Sequence, residues 1–220
     1  VHGWISLDGT RHLAFGTDRK LYVYSEGVTY DITPIRETET LTNPFTTASG
    51  NATVTVADTS HGALLGDFVI YKGASTVDSL NFNQEFQIQS IVNTAAYTIA
   101  FTDGSTASGT TAGGGGSVTA DYQVNVGPTL SEFGYGWGTG TWGGSTWGSP
   151  RTTSNTTIAA RQWSLDNFGE DLIATVLNGG TFKWDLSAGV GTRATIISNA
   201  PTLSRFNLVS TPDRHLLLFG

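Results

Sequence analysis

Near its start the chain alternates apolar and polar residues in short runs, each closed by turn chemistry. Trp4-Ile5-Ser6-Leu7 leads into Asp8-Gly9-Thr10, and His12-Leu13-Ala14-Phe15 into Gly16-Thr17-Asp18-Arg19. Leu21-Tyr22-Val23-Tyr24 then runs into Ser25-Glu26-Gly27, ahead of Thr29-Tyr30-Asp31-Ile32. A period of two, with Gly, Asp and Ser at the breaks, predicts a four-stranded antiparallel meander. The pattern returns late in the chain. Asp171-Leu172-Ile173-Ala174, the turn Leu177-Asn178-Gly179-Gly180 and Thr181-Phe182-Lys183-Trp184-Asp185 match His12 to Ser25 with a loop one residue longer. A third copy begins at Phe206-Asn207-Leu208-Val209-Ser210, and its Arg214-His215-Leu216 aligns with Arg11-His12-Leu13. Recurring four-strand units predict radial packing of the β-propeller kind, in which each sheet buries a face that its neighbour must cover.

A different module separates the repeats. Ala52-Thr53-Val54-Thr55-Val56 and Asp67-Phe68-Val69-Ile70-Tyr71 alternate, Glu85 to Ile91 and Ala96 to Phe101 flank the hairpin turn Val92-Asn93-Thr94-Ala95, and Val118 to Val126 follows Gly113-Gly114-Gly115-Gly116. These strands predict a small β-sandwich or barrel spliced into a loop, where insertion costs little closure entropy. Next comes a segment in which Trp137, Trp142 and Trp147 recur every five residues among glycines. That spacing fits neither a helix nor a strand. The expected fold is therefore all-β: a partial β-propeller of four-stranded antiparallel blades with an inserted β-sandwich or barrel. Its parts are a first blade over 1–39, the insert over 40–127, a Gly/Trp-rich loop over 128–160 and continued blades over 161–220. With no Met in the chain and an apolar Leu216-Leu217-Leu218-Phe219 at its end, the natural polypeptide is expected to extend further both ways.

Composition sharpens this. Charged residues make up only 13%, and Gly (28 residues), Thr and Ser take their place, which suits strands and turns rather than helix surfaces. The absence of cysteine excludes disulfides and thiolate metal sites. No apolar run reaches the ~20 residues of a membrane-spanning helix, so no membrane partner is expected. A net charge of −7 disfavours a surface that grips phosphate but suits one that nucleic acid slides past.

Candidate chemistry is sparse. His12 and His215 fall at aligned repeat positions and are expected to recur in space, as strand-edge residues rather than ligands; with His2 and His61 they show no metal-ligand spacing. The acidic run Asp166-Asn167-Phe168-Gly169-Glu170-Asp171 could bind calcium or supply paired carboxylates, but its place between two apolar runs predicts a turn. Trp137, Trp142 and Trp147 could stack sugars or anchor their own loop. Gly113 to Gly116 lacks the Lys-Ser/Thr of a phosphate loop, and no Gly-x-Ser-x-Gly elbow occurs. The expectation is a chain without enzymatic activity, cofactor or metal.

Three stretches carry a resemblance. Arg11-His12-Leu13-Ala14-Phe15-Gly16-Thr17 through Lys20-Leu21-Tyr22-Val23-Tyr24, then Tyr30-Asp31-Ile32-Thr33-Pro34, and Arg161 through Ala174 resemble propeller proteins of tailed phages, as does the Trp-Gly segment between them. The nearest functional likeness is to the tail nozzle, or tail tubular protein B-like, component of short-tailed phages. That resemblance implies a virion tail protein forming a ring of six identical subunits below the portal and adaptor, around the DNA exit channel, in contact with tail fibres or spikes. It implies no cofactor and no catalytic residue. A nozzle subunit is much longer than this chain. The alternative is a carbohydrate-binding, receptor-binding propeller module that stacks sugars on Trp137, Trp142 and Trp147; a hydrolase using Asp166, Glu170 or Asp171 ranks last.

Overall fold

The computed structural model describes residues 1–125, 162–210 and 212–220. Among these, all regular structure is β except one 3-10 turn at Leu186–Ala188. The chain forms two compact units, Pro34–Asn125 and the segments on either side of it.

The flanking unit opens with β1 (His2–Ile5), β2 (Arg11–Gly16), β3 (Leu21–Ser25) and β4 (Val28–Asp31), hydrogen-bonded in that order as an antiparallel meander. Its turns explain its short strands. Glu26 and Gly27, both at positive φ (48° and 87°), join β3 to β4 as the two-residue loop whose twist matches paired strands. Trp4, His12, Ala14, Leu21, Val23 and Ser25 are buried while their neighbours along each strand mostly face out, the alternation seen in the sequence.

The Pro34–Asn125 unit holds β5 (Ile35–Leu41), β6 (Phe45–Thr46), β7 (Thr53–Ala57), β8 (Phe68–Lys72), β9 (Glu85–Asn93), β10 (Ala96–Ala100), β11 (Ala112–Gly113) and β12 (Val118–Gln123). They form one eight-stranded sheet in the order β11-β6-β7-β10-β9-β8-β12-β5. Register shifts between β9 and β10 at Ala96/Tyr97 and Thr98/Ile99 mark bulges, which bend a sheet. The sheet curls around a single core that includes Phe45, Val56, Tyr71, Phe82, Ile88, Tyr97 and Tyr122. Where it comes round on itself, Asn43 N–H donates to the Gly115 carbonyl at 2.8 Å and the Thr42 hydroxyl to that of Gly116 at 3.1 Å.

The flanking unit resumes with β13 (Trp163–Phe168), β14 (Asp171–Val176), β15 (Thr181–Trp184) and β16 (Thr195–Ile196), a second meander of the same order, followed by the hairpin of β17 (Phe206–Val209) and β18 (Leu216–Phe219). Successive strand residues point to opposite faces, so the burial of all five residues from Leu172 to Val176 means both faces of the second meander are covered. One face, with Leu172, Ala174 and Trp184, meets the first meander, and Trp184 lies edge-on to Trp4 at 6.0 Å. The other face meets β17, where Asp166 accepts from Val209 N–H at 2.7 Å and Asn207 donates its side-chain amide to the Ile173 carbonyl at 3.3 Å. The outer face of the β17–β18 hairpin carries Phe206, Leu208, Leu217 and Phe219, each 41–50% exposed.

One residue fixes the docking of the meanders. A β-carbon on Gly16 would overlap the ring of Trp163, whose indole N–H donates to the Thr17 carbonyl at 2.9 Å. Gly16→Ala should therefore displace that ring and lower stability by about 1–3 kcal/mol, read by urea denaturation, with no comparable loss for Gly116→Ala, where a β-carbon would meet open space at an ordinary φ. A loss below the error of the measurement would show that the ring is not seated there.

The expected recurrence of His12 and His215 does not hold. Ser6 N–H bonds to Thr10 O to close the β1–β2 turn, whereas Ser210 N–H bonds to His215 O across a longer loop. His215 thus takes the place of Thr10, not of His12. His12 is buried between Trp4 and Trp184, while His215 is exposed. One extra loop residue shifts the ladder and dissolves the alignment of the two Arg-His-Leu triplets.

Candidate functional site

Trp137, Trp142 and Trp147 lie outside the described residues. The acidic run lies within them and makes a tight hairpin, with Phe168 opposite Asp171 and Gly169 at a φ of 69° in the loop. Glu170 and Asp171 line a cleft of about 580 Å³ together with Ile5, Leu7, Lys183 and Arg214. Asp166 is not in its lining; it faces β17.

Each carboxylate here is already engaged. Glu170 accepts from Leu7 N–H at 2.7 Å, and its own carbonyl accepts the Trp4 indole N–H at 2.9 Å. Asp171 accepts from Leu186 N–H at 3.1 Å and pairs with the Lys183 ammonium at 2.8 Å; Asp185 pairs with the same ammonium at 3.3 Å. The hydrogen bond to Asp171 holds the Lys183 pKa above its ordinary value. A hydrogen bond from Ser187, and then that of Lys183, hold Asp185 below its own. Turn closure and meander docking thus consume these groups, as the position of the run between two strands implied. Beside these paired groups the cleft is lined by Arg214 and the exposed aliphatic Ile5 and Leu7.

The histidines are likewise committed. His61 accepts from Ala63 N–H at 3.1 Å through Nδ1, which leaves Nε2 to donate to the Asn93 carbonyl at 3.1 Å. His2 Nε2 lies 2.9 Å from the Asn167 side-chain oxygen, and His12 Nε2 lies 3.2 Å from Ser6 Oγ. Among the described residues, no group of three or more His, Asp or Glu is set to hold a metal ion.

The densest polar cluster escaped the sequence reading. Inside the Pro34–Asn125 unit the Tyr71 and Tyr97 hydroxyls meet at 2.5 Å, Tyr97 and Tyr122 at 2.8 Å, and Tyr122 donates to Asp58, which is itself buried. Burial pushes the pKa of all three phenols up, so each stays a neutral donor. On β5, burial, then the charge of Asp58, raise the pKa of Glu39 to about 7. Arg36 lies 5.4 Å from the Tyr122 ring centre, donates to Glu37 at 2.8 Å and to the His61 carbonyl at 2.7 Å. The available signal was a tyrosine at the inward position of each of three alternating strands, where an aliphatic would fill the core without needing a partner.

No protein-family model matches the chain, and no curated protein does. Among solved structures the chain is similar to the phage phi92 endosialidase, with a TM-score of 0.34 and 13% identity. The likeness covers 86% of this chain and 30% of that one. The expectation of a chain without enzymatic activity is corrected by this finding, because the similar protein is an enzyme. A likeness of this degree gives the chain no activity of its own.

Proposed function

We propose that this chain is a structural component of a bacteriophage tail, part of the nozzle that encloses the DNA exit channel, in a ring of six identical subunits that contacts portal, adaptor and tail fibres or spikes. The observation that carries the reading is the stacking of β-meanders built to one plan, the middle one covered on both faces. Such a stack presents broad sheet faces packed one on the next, which suits a part that transmits load. The resemblance of Arg11 through Tyr24 and of Arg161 through Ala174 to phage propellers supplies the link to a tail. A net charge of −7 accords with a conduit, since each Lys–phosphate contact would add a barrier to DNA passage.

The test is electron microscopy of tailed-phage particles labelled with antibody to this chain. Label in a collar beneath the portal, with six copies per particle by quantitative mass spectrometry, is the expected result. Label only at the tips of fibres would replace this reading by the receptor-binding one, in which Trp137, Trp142 and Trp147 stack sugars. Absence of the chain from particles would remove both.

A further inference from the structure

The sheet of the Pro34–Asn125 unit carries a second cleft, on the face turned away from its core. It opens where β8 and β9 begin and β10 ends, and measures about 290 Å³, near the ~300 Å³ lower end of small-ligand sites. Val69, Phe86, Ile88 and Ile99 are buried in the core, so their neighbours along each strand point the other way. Gln87 and Gln89 therefore stand outward on β9, with the partly exposed Phe68 opposite Gln87 on β8. Ala100 ends β10 on the same face, and its short side chain leaves room between them.

The polar groups of the cleft are held in place by the backbone. Gln87 donates its side-chain amide to the Gly66 carbonyl at 3.2 Å, and Gln84 donates to the Asn81 carbonyl at 3.2 Å. Gln89 donates to the Gln87 carbonyl at 3.5 Å. Each glutamine thus spends a donor on the main chain, while its Oε1 has no partner among the described residues. Asp103 accepts from Ser105 N–H at 2.9 Å, and that bond holds its carboxyl below the ordinary carboxylate value. Glu85, also in the lining, accepts from the Gln123 side-chain amide. Among the described residues no Lys or Arg lines the cleft, so it is rich in acceptors.

We propose that this cleft binds a neutral sugar, whose hydroxyls donate to Gln84, Gln87, Gln89 and Asp103 while the C–H face of its ring lies on Phe68. An acceptor-lined cleft suits a ligand that brings several donors at once. A sugar ring brings them together with an apolar C–H surface, which matches an aromatic side chain. Phosphate and carboxylate ligands would set acceptor against acceptor, and Asp103 and Glu85 would repel them. The cleft belongs to the unit that interrupts the meanders, so the proposal stands whatever the place of the chain in a tail.

NMR titration of the whole chain, labelled at nitrogen, tests the site. The probes are glucose, galactose, mannose, rhamnose and N-acetylglucosamine, with tetramethylammonium as a cation probe. At least one sugar should move the side-chain amide signals of Gln87 and Gln89 saturably at millimolar concentration. Combining Gln87→Ala with Gln89→Ala should weaken that sugar by roughly tenfold, the worth of one or two lost hydrogen bonds, and leave the rest of the spectrum in place. Asp103→Asn, which keeps an acceptor for Ser105 N–H, should weaken it severalfold even if the double variant disturbs β9. No shift with any of these sugars would overturn the site, as would unaltered affinity in both variants. Movement of the Trp137, Trp142 and Trp147 indole signals in place of the glutamine amides would move sugar binding to that segment and remove the proposal. A tighter response to tetramethylammonium than to any sugar would make the cleft a cation site and remove it equally.

Discussion

Trp184→Ala should remove about 3–5 kcal/mol from the flanking unit, the range for truncating a large aromatic in a packed core. Trp184 is fully buried and ends β15 opposite Leu172, on the face that meets the first meander. Its ring touches Trp4 edge-on at 6.0 Å and His12 at the same distance, so three rings from two meanders share one contact. Its loss would leave a void that neither sheet can fill by moving alone, because Trp4 is held by its indole N–H to the Glu170 carbonyl. Urea denaturation followed by exchange of β14 and β15 amides reads the effect, and Trp184→Phe should lie between. A loss under 1 kcal/mol would mean that the two meanders do not pack on each other through this ring.

Phe45→Ala should cost a similar ~3–5 kcal/mol in the Pro34–Asn125 unit. The ring is fully buried, stacks on Phe82 with centres 3.8 Å apart and meets Tyr71 edge-on at 5.0 Å. It also explains a glycine. A β-carbon on Gly114 would stand 2.6 Å from the Phe45 ring, and Gly114 has a φ of 123°, so the Gly113–Gly116 run is shaped by close passage over this side chain. Thermal melting of Phe45→Ala and of Phe45→Leu separates volume from ring shape: Leu should recover more than half of the loss. Equal losses would point to the stacking on Phe82 as the dominant contribution.

Strand positions were legible wherever apolar residues alternate and Gly, Asp or Asn punctuate. The first meander, the turn between β13 and β14 and the all-β class follow from that pattern alone. β5 was not legible, for a physical reason. In Ile35-Arg36-Glu37-Thr38-Glu39-Thr40-Leu41 the inward positions include two glutamates, so the alternation is acid against Thr and Arg and carries no hydrophobic period. The tyrosine cluster was hidden for another reason, since Tyr71, Tyr97, Tyr122 and Asp58 are far apart in the chain and meet only when the sheet curls. His215 failed differently. A residue triplet repeats in sequence, but hydrogen-bond register is counted from the turn, and one added loop residue outweighs three matched letters.

The splice between the meanders also sets an order of events during synthesis. His2 bonds to Asn167 and Trp4 to Glu170, pairs separated by 165 and 166 residues. The Pro34–Asn125 unit closes on itself and can finish as soon as it leaves the ribosome. The first meander must wait, with its tryptophan face uncovered, until β13 to β15 emerge some seconds later at ~5–20 residues per second. That delay, rather than any weakness of the finished stack, is where a nascent chain is most exposed to chaperones and to neighbours of its own kind.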